Sequence, residues 1–305
     1  MNEQAAVFGD QSSLVGILSR PEKPVEGAPA LLFLTAGLIH RVGPNHMYAE
    51  LCRDAAAAGF FAMRFDFSGI GDSEPRKDFL PLHKSCVLEV QQAMDYLRRT
   101  ANVERFVLVG LCSGANAAYF AALEDRRVVG GILINTQSFQ EEGEDELLDY
   151  AAGSALTRYL FSPRAWVKVF KGTARYRGKL GKVAKHLTAS LLRKNRLSDK
   201  ARAASQGLFD LAERNVELLL LYSKGDRGLE YFNLLGRREI TRLEQTGRVQ
   251  IEILNGTDHL FTPPETRQEL FRISLAWLQR FPRRKKESHP LAAALSLCLS
   301  LIESV

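Results

Sequence analysis

The 305-residue chain has no run of about 18 consecutive apolar residues, the least that crosses a bilayer as a helix, so a conventional membrane span is not expected. Its first residues, MNEQAAVFGDQSS, lack a basic stretch followed by an apolar one and do not read as a secretory leader, which makes the cytosol the expected compartment. Cysteine is scarce. Cys52, Cys86, Cys112 and Cys298 stand without paired spacing, which argues against a disulfide scaffold and a cysteine-based metal site. There is no H-E-x-x-H, and the six histidines are scattered without ligand spacing, so neither a metal nor any other cofactor is implied. Zinc-finger, RNP and KH patterns are missing too, which sets nucleic acid aside despite a net charge of +6. Internal repeats are absent. What is present, 46% hydrophobic and 25% charged residues, is an ordinary globular composition able to fill one large core.

The charge is unevenly spread. Between Arg158 and Arg202 there are fourteen Lys and Arg against one acid, Asp199, and just before them Glu141 to Asp149 carries six acids in nine residues. Such a reversal marks a segment with a surface role of its own. Within it, ALTRYLFSPRAWVKVFKG and KVAKHLTASLLRKN place apolar residues at helical spacing with Lys and Arg opposite. This face reads first as solvated helix. Its functional reading is a platform for an anionic partner, and an acidic acyl carrier protein is the candidate. The end of the chain, PRRKKESHP and then LAAALSLCLSLIESV, is too short to span and is expected to dock as a helix rather than to anchor in a membrane.

Short apolar runs alternate with longer helical patterns, the signature of βαβ units on a parallel sheet. Strands are expected at 14–20, 30–36, 61–67, 105–111, 128–135, 216–223 and 249–255, and helices at 47–58, 84–100, 114–124, 229–246 and 265–280. Most of the strands are apolar throughout, as a sheet covered on both faces requires. The gap between Asn135 and Val216 is too long for a loop and is expected to hold a helical cap. The expected architecture is therefore α/β: a mostly parallel central sheet with helices on both faces, a core at 1–136 and 213–281, a basic helical cap at 137–212 and a tail at 282–305.

The residues richest in chemical content are LVGLCSGAN, 108–116, at the end of a strand and the start of a helix. Gly110-Leu111-Cys112-Ser113-Gly114 has the G-x-nucleophile-x-G spacing, because a nucleophile on a strained turn needs small residues two before and two after it. Ser113 has Leu111 and Ala115 at those positions and is rejected as the nucleophile. The turn would aim the Ser113 N–H and a helix N-terminus at the point where an oxyanion forms. Asp226 follows the strand VELLLLYS and His259 follows VQIEILN, in the order nucleophile, acid, base. His259 is read as base and then acid, with Asp226 holding its tautomer; Asp258, adjacent to the ring, is the rival acid.

From about residue 14 to 281 the chain resembles the α/β-hydrolase superfamily. The elbow at 110–114, the run Asp66-Phe67-Ser68-Gly69-Ile70-Gly71-Asp72-Ser73 and the closing Asp-His carry the resemblance. Thr35-Ala36-Gly37-Leu38-Ile39-His40-Arg41-Val42-Gly43 together with FDFSGIGDS is similar to the branch labelled serine-aminopeptidase-like or exosortase-associated hydrolases. Two departures stand out: Ala36-Gly37 replaces the usual His-Gly, and cysteine replaces the serine nucleophile, as in dienelactone hydrolases. The resemblance implies a second oxyanion donor just after Gly37, the Leu38 N–H. Gly37, His40 and Arg41, with Asn45 and His46 nearby, read equally as substrate contacts or as a loop stitched by its own hydrogen bonds. FSGIGDSEPR reads as a structural turn. His83 and His186 read as solvent or core histidines, and Cys52, Cys86 and Cys298 as small buried hydrophobes.

A thiolate accepting an acyl group gives a thioester. The expected activity is hydrolysis of an ester or thioester of a small-molecule acyl substrate. One alternative is an acyltransferase moving an acyl group from a carrier-protein or coenzyme A thioester to an alcohol or amine. The other is a scaffold without turnover.

Overall fold

The structure, a computed structural model, describes residues 2–78, 80–136, 139 and 205–281. The expected cap at 137–212 lies outside them apart from Phe139 and 205–212; so do the tail at 282–305, Cys298 and His186.

The described strands are β1 (Asn2–Phe8), β2 (Leu14–Arg20), β3 (Ala30–Leu34), β4 (Ala62–Phe65), β5 (Phe106–Leu111), β6 (Val128–Ile134), β7 (Glu217–Ser223) and β8 (Val249–Leu254). They form one sheet in the order β1-β2-β4-β3-β5-β6-β7-β8. The β1–β2 and β2–β4 pairs are antiparallel, and every later neighbour pair is parallel. Seven of the eight strands fall where the apolar runs predict them.

Side chains alternate across a strand, and both faces of the central strands are buried, which is why these segments read as continuous apolar runs. Leu32, Leu34, Leu108, Leu218 and Leu220 enter one core layer with α2 (Leu82–Ala101), α3 (Ser113–Glu124) and α4, residues 205–213. Leu31, Phe33, Val107, Val109, Leu219 and Leu221 enter the other, with α1 (Met47–Ala57) and α7 (Pro264–Leu278). All eleven of these strand side chains are at most 1% exposed, and each such burial is worth roughly 1.5–3 kcal/mol before conformational entropy is charged against it.

Two elements depart from the sequence reading. Strand β1 is not foreseen, because only Ala6 and Phe8 in it are buried; it exists through its seven-residue register with β2. The single helix expected at 229–246 is instead α5 (Arg227–Phe232), a 3-10 turn at Asn233–Leu235 and α6 (Arg237–Gln245). Gly236 at φ 81 breaks the helix there and donates its N–H to the Asn233 carbonyl.

Candidate active site

The sharp turn expected at the end of β5 is present. Cys112 has φ 56 and ψ −122, a conformation an L-residue holds only when its surroundings impose it. The flanking glycines show what imposes it. A Cβ on Gly110 would lie 2.2 Å from the Gly114 carbonyl oxygen, and one on Gly114 would lie 2.3 Å from the Leu34 carbonyl oxygen. Strand and helix therefore pass too closely for any side chain at either position. From below, the Cys112 N–H donates to the Ile134 carbonyl at 2.9 Å, and the Leu111 N–H donates to the Tyr48 hydroxyl at 2.8 Å. Tyr48 is fully buried, and burial holds its hydroxyl neutral far above the usual range.

Cys112 is only half-buried and lies at the N-terminus of α3, where first-turn N–H groups converge on its side. Burial pushes the thiols of Cys52 and Cys86 up to about 12, which leaves both inert as nucleophiles near neutral pH.

Asp226, in the turn after β7, caps α5 by accepting the Gly228 N–H through Oδ1 at 2.8 Å. Its other oxygen, Oδ2, lies 2.6 Å from His259 Nδ1. The ring is pushed up to about 10, first by its hydrogen bond to Asp226 and next by one to Cys112. Imidazole and carboxylate thus form a hydrogen-bonded pair, with the carboxylate 5% exposed and the ring 31%, and the Cys112 thiol adds to the upward push on the ring. Asp258 turns away from the ring. It accepts the Leu260 and Thr262 N–H groups at 3.2 and 2.9 Å, and the Thr262 amide holds its carboxyl below the usual range. Of the two acids weighed for the ring, Asp226 is the one in contact.

The turn after β3 approaches the elbow from the other side. Gly37, at φ 53, donates its N–H to Ser113 Oγ at 2.7 Å, and the turn closes through Ile39 N–H to the Ala36 carbonyl at 3.0 Å. Leu38 at the tip is 90% exposed. Arg41 is committed to the scaffold: its guanidinium pairs with both Asp66 and Asp72, and its N–H also donates to Asp66, which is wholly buried. Of the two readings open for Arg41, this geometry is loop stitching. The exposed His40 ring accepts the Val42 N–H at 3.4 Å, and Asn45 reaches across to the Leu260 carbonyl at 3.4 Å. His46 is exposed at the entry to α1. FSGIGDS is a structural turn: Ser73 Oγ donates to the Asp66 carbonyl at 2.7 Å and accepts the Val15 N–H at 2.9 Å.

Sequence reasoning missed Asn135, which ends β6 with its side chain entirely buried and bonded to Ser223 and to the His259 carbonyl. It missed Tyr48 as well. A polar residue closing an apolar strand was the available signal for the first; nothing in the sequence separates Tyr48 from any other aromatic on a buried helix face.

A cavity of about 420 Å³ opens beside the His259–Asp226 pair, lined also by Lys224, Arg227 and Asp258, though Cys112 is not part of its wall. Among the described residues no cluster of His, Cys, Asp or Glu could hold a metal ion, and no helix is long and apolar enough to cross a membrane.

An eight-stranded, mostly parallel sheet whose strand ends gather an elbow cysteine, a histidine and an aspartate defines a protein built on the α/β-hydrolase plan. The chain belongs to that family: the model of the alpha/beta hydrolase fold matches residues 29–270. Among solved structures it is similar to the alpha/beta hydrolase GrgF from Penicillium, at 14% identity and a TM-score of 0.57, over 93% of this chain and 100% of that one. It is similar to proline iminopeptidase from Mycobacterium smegmatis, at 15% identity and 0.54, over 92% and 99%. A dienelactone hydrolase from Anabaena variabilis matches at 13% and 0.53, over 92% and 98%. No curated protein matches the sequence.

Proposed function

We propose that the chain is an ester or thioester hydrolase acting through an acyl-cysteine intermediate, with Cys112 as nucleophile, His259 as acid and base, and Asp226 as the group that orients the ring. The observation that carries this reading is the 2.6 Å contact between Asp226 and His259, with Cys112 on an elbow at φ 56 and acting on the same ring. His259 takes the thiol proton as the sulfur attacks an acyl carbonyl. The tetrahedral oxyanion is received by the N–H groups of Ser113 and Leu38. His259 then gives its proton to the departing alkoxide or thiolate, and the acyl group remains on sulfur. Neutral again, the ring takes a proton from water, whose attack on the thioester releases the acid, and the proton returns to the Cys112 sulfur. Family membership, with an iminopeptidase and a dienelactone hydrolase among the fold relatives, supports a hydrolytic reaction of this kind. The similarity to the serine-aminopeptidase-like or exosortase-associated branch rests on the Thr35–Gly43 and Asp66–Ser73 motifs.

A second reading, acyl transfer to an alcohol or amine, is favoured by the cysteine itself. Exchange of an acyl group between a carrier thioester and Cys112 is nearly isoenergetic. The basic stretch from Arg158 to Arg202 suits an acidic carrier protein. Intact-protein mass spectrometry after exposure to acyl thioesters and p-nitrophenyl esters tests both. A mass gain that requires Cys112 and decays in water supports the hydrolase, and decay only on adding an alcohol or amine supports the transferase. No adduct on the wild type, with Cys112→Ala behaving identically, sinks both.

A further inference from the structure

The catalytic reading uses Cys112, Asp226 and His259, yet none of these explains what holds the histidine loop against the rest of the sheet. Asp258 closes that loop only upon itself, through Leu260 and Thr262. Asn45 touches it at 3.4 Å from an exposed position. Farther along, Arg267 donates to the Phe261 and Thr262 carbonyls at 3.2 and 3.1 Å, Thr266 bonds to Thr257 at 3.0 Å and Phe261 is fully buried. The bond to the His259 carbonyl itself comes from Asn135. Its side-chain Nδ2 donates to the His259 carbonyl at 2.9 Å and to Ser223 Oγ at 3.1 Å, while its Oδ1 accepts the Ser223 N–H at 2.8 Å and the Ser223 hydroxyl at 3.3 Å. Its own backbone N–H donates to the Leu221 carbonyl at 2.8 Å. The residue is 0% exposed and has φ 47, a left-handed conformation that asparagine tolerates better than most residues.

One amide therefore joins three neighbouring strand ends. Ser223 in turn accepts the Asp226 N–H at 3.1 Å, so the loop bearing the acid and the loop bearing the base are fixed to the same buried group. A fully satisfied buried amide resists displacement, because any shift leaves a donor or acceptor unpaired. We propose that Asn135 is a positioning residue of the active site, one that sets the reach of His259 toward Cys112 by holding the His259 carbonyl and the Ser223 backbone in a single frame. The proposal rests on the Cys112–His259 reading above. It assigns Asn135 no contact with substrate.

The test follows alkylation of Cys112 by iodoacetamide from pH 5 to 10.5, with peptide mapping to separate it from other thiols, so that no substrate need be known. The charged groups around the ring, Asp226, Asp258, Lys224 and Arg227, are unchanged in Asn135→Gly and Ser223→Ala, whereas Asn135→Asp adds a carboxyl, so a pH shift counts for the proposal only where Asn135→Gly shows it too. Asn135→Asp keeps the size, the tolerance of positive φ and the acceptor for Ser223, but removes the donor to His259. Asn135→Gly keeps the backbone and removes the whole amide. Ser223→Ala removes the hydroxyl and leaves the Asn135–His259 bond. Both Asn135 variants are expected to slow alkylation near neutral pH on the order of tenfold and to shift its pH dependence, with Ser223→Ala within about twofold of wild type. Asn135 profiles that overlay the wild type, or a Ser223→Ala shift of equal size, overturn the proposal. His259→Gln separates the two levels. If it too leaves the profile unchanged, the Cys–His reading has failed; a profile that needs His259 and ignores Asn135 defeats the positioning role alone. In the wild type, the Asn135 side-chain amide resonances should move in step with titration of the His259 ring nitrogens, and amide resonances indifferent to that titration also overturn the proposal.

Discussion

Replacing Asp226 by Asn removes the charge facing His259 Nδ1 at 2.6 Å and keeps an oxygen that can still accept the Gly228 N–H. The ring stands at about 10 against an ordinary 6.5, a difference that would represent close to 5 kcal/mol if all of it were realised as stability, at about 1.4 kcal/mol for each pH unit. Two corrections apply. Cys112 supplies the smaller share of the upward push, and the ring is 31% exposed, so solvent screens part of the attraction. About 1–2 kcal/mol is the expected loss in the variant. Its sign follows from a folded-state value above the unfolded one. The contribution is fully present below about pH 6.5, declines through the interval up to 10 and is gone above it. Urea unfolding of wild type and Asp226→Asn at intervals from pH 5.5 to 10.5 should therefore give a stability difference that is largest at the acid end of that range and closes toward pH 10. A difference that stays level across this range would refute the electrostatic account of the pair. On the activity side, kcat with any ester the wild type accepts should fall about 10³–10⁴-fold, as the loss of an orienting carboxylate does in other triads.

Three further outcomes follow. Asp258→Asn should cost about 1 kcal/mol in urea unfolding through weakened bonds to the Leu260 and Thr262 amides, with the pH profile of Cys112 alkylation unmoved; a moved profile would restore Asp258 as the acid. Ser113→Ala leaves the Gly37 N–H without its acceptor at 2.7 Å and should lower kcat up to about tenfold at unchanged KM, measured on the same ester, whereas a purely KM effect would place Ser113 in substrate binding. Arg41→Ala strands the buried Asp66 carboxylate and should cost about 3 kcal/mol by thermal or urea unfolding, with Arg41→Lys a poor rescue because one ammonium cannot serve Asp66 and Asp72 in the geometry of a guanidinium.

The parts legible in the sequence are those where a local rule coincides with the tertiary demand. The central strands announced themselves because burial on both faces forces nearly continuous apolar runs, and Cys112 because α3 passes so close to β5 at Gly110 and to β3 at Gly114 that neither can carry a Cβ. What stayed hidden depends on partners distant in the chain. Strand β1 is held by its ladder to β2 and buries only two side chains, so its own composition carries almost no period. Arg41 next to a presumed substrate loop looked available for binding until Asp66 and Asp72, 25 and 31 residues on, were seen to occupy it. Chain order favours Asp226 over the adjacent Asp258 as the acid, and which way each carboxylate faces is visible only in three dimensions, where Asp226 contacts the ring and Asp258 caps its own turn.

The same dependence explains why residues so far apart meet at all. In the parallel ladder Leu111 pairs with Ile134, Ile134 with Leu221, and Ser223 with Leu254. Cys112 and Asn135 are each the next residue after a paired one, and Asp226 and His259 follow their strands by three and five residues. The distances within the site are therefore consequences of sheet register, and each short loop has little freedom to alter them. A slip of one residue in any of these pairings would exchange the two core faces of a strand, burying the wrong set of side chains, so the hydrophobic pattern guards the register and the register guards the geometry. What the ladder cannot set is the last few ångströms between the loop after β8 and the elbow, and that is where a buried amide, rather than an apolar side chain, closes β6.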